Sequence, residues 1–130
     1  MILYLEIMKL LICLFCLLTA CAFSVDLAGV YDLVGSNNPL GEKHYIGRVT
    51  ITPQGTNYRV QWKIGKQTQK GIGIVHDDIL SVAYHNPKDD EMGVASYYIT
   101  PTGNLEGKWA ELDDEMHGRE LLLFKSTLDK

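Results

Sequence analysis

From residue 26 onward, apolar and polar side chains alternate along most of the chain with a period of two. Tyr58, Val60, Trp62 and Ile64 alternate with Asn57, Arg59, Gln61 and Lys63, the signature of a strand with one buried and one wet face. Tyr45, Gly47, Val49 and Ile51 alternate with His44, Arg48 and Thr50, with Ile46 the exception. Leu105, Gly107 and Trp109 alternate with Glu106 and Lys108. Turn-forming clusters fall between such runs: Asn37-Asn38-Pro39, Pro53-Gln54-Gly55, His76-Asp77-Asp78, Asn86-Pro87-Lys88, Pro101-Thr102-Gly103 and Asp113-Asp114-Glu115. The pattern predicts eight strands, near residues 28–34, 44–52, 57–64, 68–76, 79–85, 93–100, 105–111 and 117–124. Short strands at this spacing point to an all-β fold. We expect a single antiparallel eight-stranded up-and-down β-barrel, which leaves no exposed sheet edge, with a β-sandwich as the alternative.

One segment repeats. Ile51-Thr52-Pro53-Gln54-Gly55 returns 48 residues later as Ile99-Thr100-Pro101-Thr102-Gly103, and a tryptophan follows each copy, Trp62 and Trp109. Proline at the second position and glycine at the fourth suit a type I turn that starts at the threonine. Both copies are therefore expected to be hairpin turns. Two similar halves would fit a closed meander, although chance can produce one such match between strand-turn units.

The first 25 residues follow a different rule. Leu10 to Leu18 is an uninterrupted apolar core, with Lys9 just ahead of it and small residues behind, as in an export signal. Met8-Lys9 reads as an alternative start. Leu18-Thr19-Ala20-Cys21 resembles the lipobox of bacterial lipoproteins. That resemblance implies transfer of a diacylglyceryl group to the Cys21 thiol, then cleavage just before Cys21, a multiply acylated cysteine with palmitate-type chains, and a membrane partner through the lipid. Two or more acyl chains anchor stably where one is marginal. An uncut anchor is the other reading, since Met1 to Phe23 approaches the roughly 20 apolar residues that span a bilayer. All three cysteines lie at or before residue 21, so the remainder forms no internal disulfide, and lipidation accounts for the odd cysteine.

The resulting organisation is a signal peptide at 1–20, a short tether at 21–25 and a barrel domain at 26–125. At about 3.3–3.6 Å per residue the tether lifts the domain no more than about 18 Å from the bilayer. Ala22 in place of an aspartate implies, by the same resemblance, an outer-membrane site in the cell envelope. The chain carries 12 Lys and Arg against 16 Asp and Glu, a formal charge of −4. No clustered basic face is visible in the sequence, so nucleic acid is not expected as a partner.

The eight-strand count, Gly29-Val30-Tyr31 at the start of the first strand and the recurrent aromatics resemble small barrels of the lipocalin and avidin type. Tyr31 stands where lipocalins usually carry tryptophan. Tyr45-Ile46-Gly47, Gly71-Ile72-Gly73-Ile74 and Leu105-Glu106-Gly107-Lys108-Trp109 also resemble a pattern of small secreted bacterial proteins. The interior of an eight-stranded barrel is either just filled by side chains or holds one small ligand.

Candidate chemistry is sparse. Tyr58, Trp62 and Trp109 share the apolar phase of their strands and are the candidate ligand-binding residues, forming either an aromatic pocket for an apolar small molecule or an ordinary filled core. Gly71 and Gly73 mark either a barrel corner or a close approach by a ligand. Asp89-Asp90-Glu91, His76-Asp77-Asp78 and the stretch Glu111 to His117 read as solvated turns. A weak calcium site shared by tips at one barrel end is the sharper alternative, but no metal motif or cofactor fingerprint is present. The serines include no Gly-x-Ser-x-Gly turn, and the expectation is a non-enzymatic binding lipoprotein. An enzyme would require two of His44, His76, His85 and His117 to converge with a carboxylate. The other reading is a protein-interaction module (envelope partner, enzyme inhibitor or host-matrix adhesin) that uses loops 35–44 and 86–92.

Overall fold

The computed structural model describes residues 1–9 and 26–129. The lipobox Leu18-Thr19-Ala20-Cys21 and the tether at 21–25 lie outside them. Residues 2–9 form a short helix, and among the described residues no helix is long and apolar enough to cross a membrane. The alternating body forms eight strands: β1 (Gly29–Ser36), β2 (His44–Gln54), β3 (Asn57–Ile64), β4 (Gln67–His76), β5 (Ile79–Asn86), β6 (Glu91–Ile99), β7 (Leu105–Glu111) and β8 (Gly118–Ser126). Every boundary lies within two residues of the sequence expectation. Each strand pairs antiparallel with the next, and β1 closes the ring by pairing with β8, so the fold is an up-and-down barrel rather than a sandwich.

Period-two alternation decides which side chains enter the barrel, and register decides how deep they sit. At one end Leu27, Tyr31, Leu33, Ile51, Val60, Leu80, Leu105 and Leu122 are buried to within 2% of full burial. Fully burying an aliphatic side chain contributes about 1.5–3 kcal/mol, so this layer supplies much of the stability. Leu27 folds under the barrel as a plug, held where Tyr31 donates its hydroxyl to the Leu27 carbonyl at 2.8 Å. The described chain enters and leaves at this packed end, beside the turns that join β2 to β3, β4 to β5 and β6 to β7.

The two copies of the repeated segment sit at corresponding hairpins four strands apart but turn differently. At Thr100 the expected turn forms: the Gly103 amide donates to the Thr100 carbonyl at 3.0 Å, with Gly103 at φ 84°. In the first copy Pro53 stays within β2, opposite Tyr58, and the chain reverses two residues later at Gly55, φ 61°. Proline tolerates this place because the tight hairpin follows almost at once, near the strand's end.

Alternation in β4 runs against hydrophobicity. Gly71 and Gly73 face inward, while Ile72 and Ile74 face outward and are 47% and 57% exposed. A Cβ on Gly71 would lie 2.5 Å from the Ala83 carbonyl oxygen, so the glycines let β4 coil tightly onto β5. This is the barrel-corner role. The outward Ile72 then joins Ala83, Val94 and Ala110 in one cross-strand apolar row on the outer wall.

Candidate functional site

The opposite end of the barrel is hollow. A cavity of about 430 Å³ opens between the loops that join β1 to β2, β3 to β4, β5 to β6 and β7 to β8. Its walls are aromatic: Tyr45, Trp62, Tyr84, Tyr97 and Trp109 all line it. Rings of this size would ordinarily fill an eight-stranded barrel. They do not fill this one because four of them lie against inward-facing glycines on the neighbouring strand. Tyr45 pairs with Gly35, Tyr84 with Gly93, Tyr97 with Gly107 and Trp109 with Gly118. A Cβ on any of the four glycines would approach its partner ring to 2.2–2.3 Å. The rings therefore occupy the volume left by missing side chains and lie along the wall instead of across the lumen.

At the floor of the cavity sits Glu120 on β8, 9% exposed. Three neutral donors converge on it. Tyr45 donates its hydroxyl to Oε1 at 2.8 Å, Tyr97 donates to Oε2 at 2.5 Å, and the Trp62 indole donates to Oε2 at 3.3 Å. Burial pushes the Glu120 carboxyl above the usual carboxylate range, and the three donors oppose that rise. Burial likewise raises the Tyr97, Tyr45 and Tyr84 phenols, with neighbouring carboxylates adding to the effect, so all three are neutral at ordinary pH. The Trp109 Nε1 is buried without a hydrogen-bond partner among the described residues, so this residue offers the cavity its ring carbons rather than its N–H. Two aromatic contacts brace the wall: Trp62 with Tyr84 at 5.4 Å between centroids, and Tyr45 edge-on to Trp109 at 6.4 Å.

The mouth is acidic. Asp89, Glu91 and Glu111 bring carboxylate oxygens within 4.8 Å of one another, drawing together two of the three acidic turns noted in the sequence. The neighbouring Asp113 carboxyl, then desolvation, then Glu111 and Asp89 push the Glu91 carboxyl up to about 7. Asn86 donates to Glu111 at 2.7 Å. The third acidic turn, His76-Asp77-Asp78, is at the packed end, far along the barrel axis from the other two. His85 lies 2.7 Å from Asp90 on the exposed rim, whereas His76 sits near Asp77 at the other end. Loops 35–44 and 86–92, read from the sequence as a contact surface, both flank the mouth.

Of the residues singled out in the sequence, Trp62 and Trp109 line the cavity. Tyr58 does not join them. It is opposite Gly73 and Pro53, half-buried toward the packed end. Glu120, Tyr45, Tyr84 and Tyr97 were not singled out. The signal for Glu120 was present: it shares a phase with Gly118 and Leu122, a lone carboxylate on the inward face of β8.

No protein-family model matches the chain, and no curated protein matches it. Its fold is shared with a solved structure, a redesigned β-barrel, mFAP1, bound to DFHBI. That barrel superposes with a TM-score of 0.59 at 16% identity, covering 74% of this chain and 94% of that one. The chain is thus a barrel of known architecture.

Proposed function

We propose that this protein is a non-enzymatic binding barrel that holds one small, largely apolar molecule in its open end. The observation that carries this reading is the cavity itself. A sequence that needed only stability would fill the lumen, yet four wall glycines draw four rings back and leave about 430 Å³ free. This volume falls within the roughly 300–1,000 Å³ range of small-molecule pockets, which pair apolar walls with a few placed polar groups. The likeness to a barrel whose structure contains DFHBI supports the same reading at the level of fold.

The second part of the proposal concerns place. The lipobox-like Leu18-Thr19-Ala20-Cys21 supports a lipid-anchored protein of the cell envelope, at the outer membrane, with acyl chains on Cys21. Mass spectrometry of the protein extracted from membranes tests this directly. We expect an amino-terminal Cys21 bearing diacylglyceryl and palmitoyl mass; an unmodified terminus overturns it.

Binding is tested through Trp62 and Trp109, the two tryptophans of the chain, since both border the cavity. Titration with a panel of small aromatic compounds is expected to shift or quench their emission saturably. Replacing Gln69, which also lines the cavity, by Trp should block the lumen and abolish the response without unfolding the barrel. Unchanged emission across the panel counts against a binding cavity.

A further inference from the structure

At its floor the cavity holds a buried carboxyl group, Glu120, beside which the barrel places no cationic side chain among the described residues. Glu120 has three donors, all of them neutral, and none of the ion pairs among the described residues involves it. An ionised carboxylate accepts at about four lone-pair sites. Oε2 already takes two hydrogen bonds but Oε1 takes only one, so one acceptor site remains on a residue that lines the cavity. The tyrosine and tryptophan donors relieve part of the desolvation without supplying opposite charge. Isolated buried charges are costly unless paired.

The surroundings of that site share one electrostatic character. Trp62, Tyr84 and Trp109 present ring surface to the same space, and ring faces carry the negative end of the aromatic quadrupole. At the entrance the charged lining groups are Asp89, Glu111 and Lys88, with Glu91 packed against the two acids. Acids outnumber the lysine, and a mouth lined mainly by one sign of charge concentrates ligands of the other sign. Floor, walls and entrance all favour positive charge.

We propose that the ligand is a small organic cation, an amine or related ammonium carried on an apolar body, whose charged group sits between the aromatic wall and Oε1 of Glu120. This rests on the cavity reading above and narrows it to a chemical class. The cation would complete the carboxylate's neutralisation, and the apolar body would lie against the rings that the glycines hold aside.

Three probes of nearly equal size separate charge from shape: 2-phenylethylammonium, 2-phenylethanol and phenylacetate. The alcohol can donate a hydrogen bond to Glu120 but carries no charge. Binding is followed by tryptophan emission and calorimetry on the whole folded chain. We expect the ammonium to bind about tenfold more tightly than the alcohol, with phenylacetate weakest, a gap within the range of cation–π and buried-charge contributions. Glu120→Gln is expected to bring the ammonium within about threefold of the alcohol, and Tyr84→Leu to weaken the ammonium more than the alcohol. If the alcohol or phenylacetate binds as tightly as the ammonium, the cation assignment is overturned while the cavity reading stands. Retention of the full preference in Glu120→Gln overturns it too. If none of the three binds, the cavity reading fails and this inference fails with it. Should Glu120→Gln not fold, the ranking in the unaltered protein and the Tyr84→Leu comparison decide the matter.

Discussion

The two ends of the barrel interior are built by the same alternation and reach opposite results. At the packed end, inward positions carry leucine, isoleucine and valine around Tyr31, and Leu27 closes the floor. At the open end they carry aromatics set against glycines, with the carboxyl groups of Glu120 and Glu111. Aliphatic side chains interlock across a lumen, whereas flat rings stacked on a neighbouring strand's glycine stay at the wall. Side-chain shape, not hydrophobicity, decides which end is solid. One end is a packed core, and the other is the end to which we assign the proposed binding role.

Breaking the solid end should have the largest effect. Leu105 is fully buried, and Leu105→Ala is expected to cost about 2–5 kcal/mol in urea unfolding while changing probe affinity little. If that substitution proves mild, the division of labour between the ends is wrong. Next comes Gly107→Ala. Its methyl would press 2.3 Å from the Tyr97 ring, and Tyr97 is pinned at its other side by Glu120. We expect a loss of about 1–3 kcal/mol by overpacking, with a smaller cavity and weaker binding. Tyr97→Phe removes one donor to the buried carboxylate and is expected to cost about 1.5 kcal/mol.

A pH series sharpens the contrast without mutation. Glu91, Glu111 and Glu120 all have raised pKa values in the fold, and all three lie at the open end. The folded chain therefore retains protons that the unfolded chain has released. Stability must fall as pH rises from the ordinary glutamate value of 4.5 through about 7, the value Glu91 reaches. Thermal unfolding across that window is expected to show a decreasing midpoint, with a shallower slope in Glu120→Gln. A midpoint that rises with pH overturns the assignment. The smallest effect is expected outside the barrel: Val94 is 62% exposed on the outer wall, and Val94→Thr should change stability by less than about 0.5 kcal/mol.

Much of this was legible in the sequence, and what was missed has a physical cause. Period two tells which side of a strand faces in, and turn residues tell where it ends, so the eight strands and the inward phase of Trp62 and Trp109 could be read directly. Height along the barrel axis is not encoded in that period. It follows from register and shear, which is why Tyr58 and Trp62 share a phase yet lie toward different ends. Glu120 was masked by Leu121, Leu122 and Leu123, a run apolar on both phases that hides which face is buried. In β4 the pattern misleads outright, since the isoleucines face water and the glycines face in. No single-strand pattern shows that the Ala83 carbonyl and the Val82 side chain, from the next strand, already fill the space beside Gly71.

Because the polypeptide passes into and out of the barrel beside the Leu27 plug, anything that grips it upstream of residue 26 takes hold of the solid base. The aperture then points away from the point of attachment. Under the lipid-anchored reading proposed above, a tethered copy would sample solutes from the surrounding fluid, not lipids from the sheet beneath it.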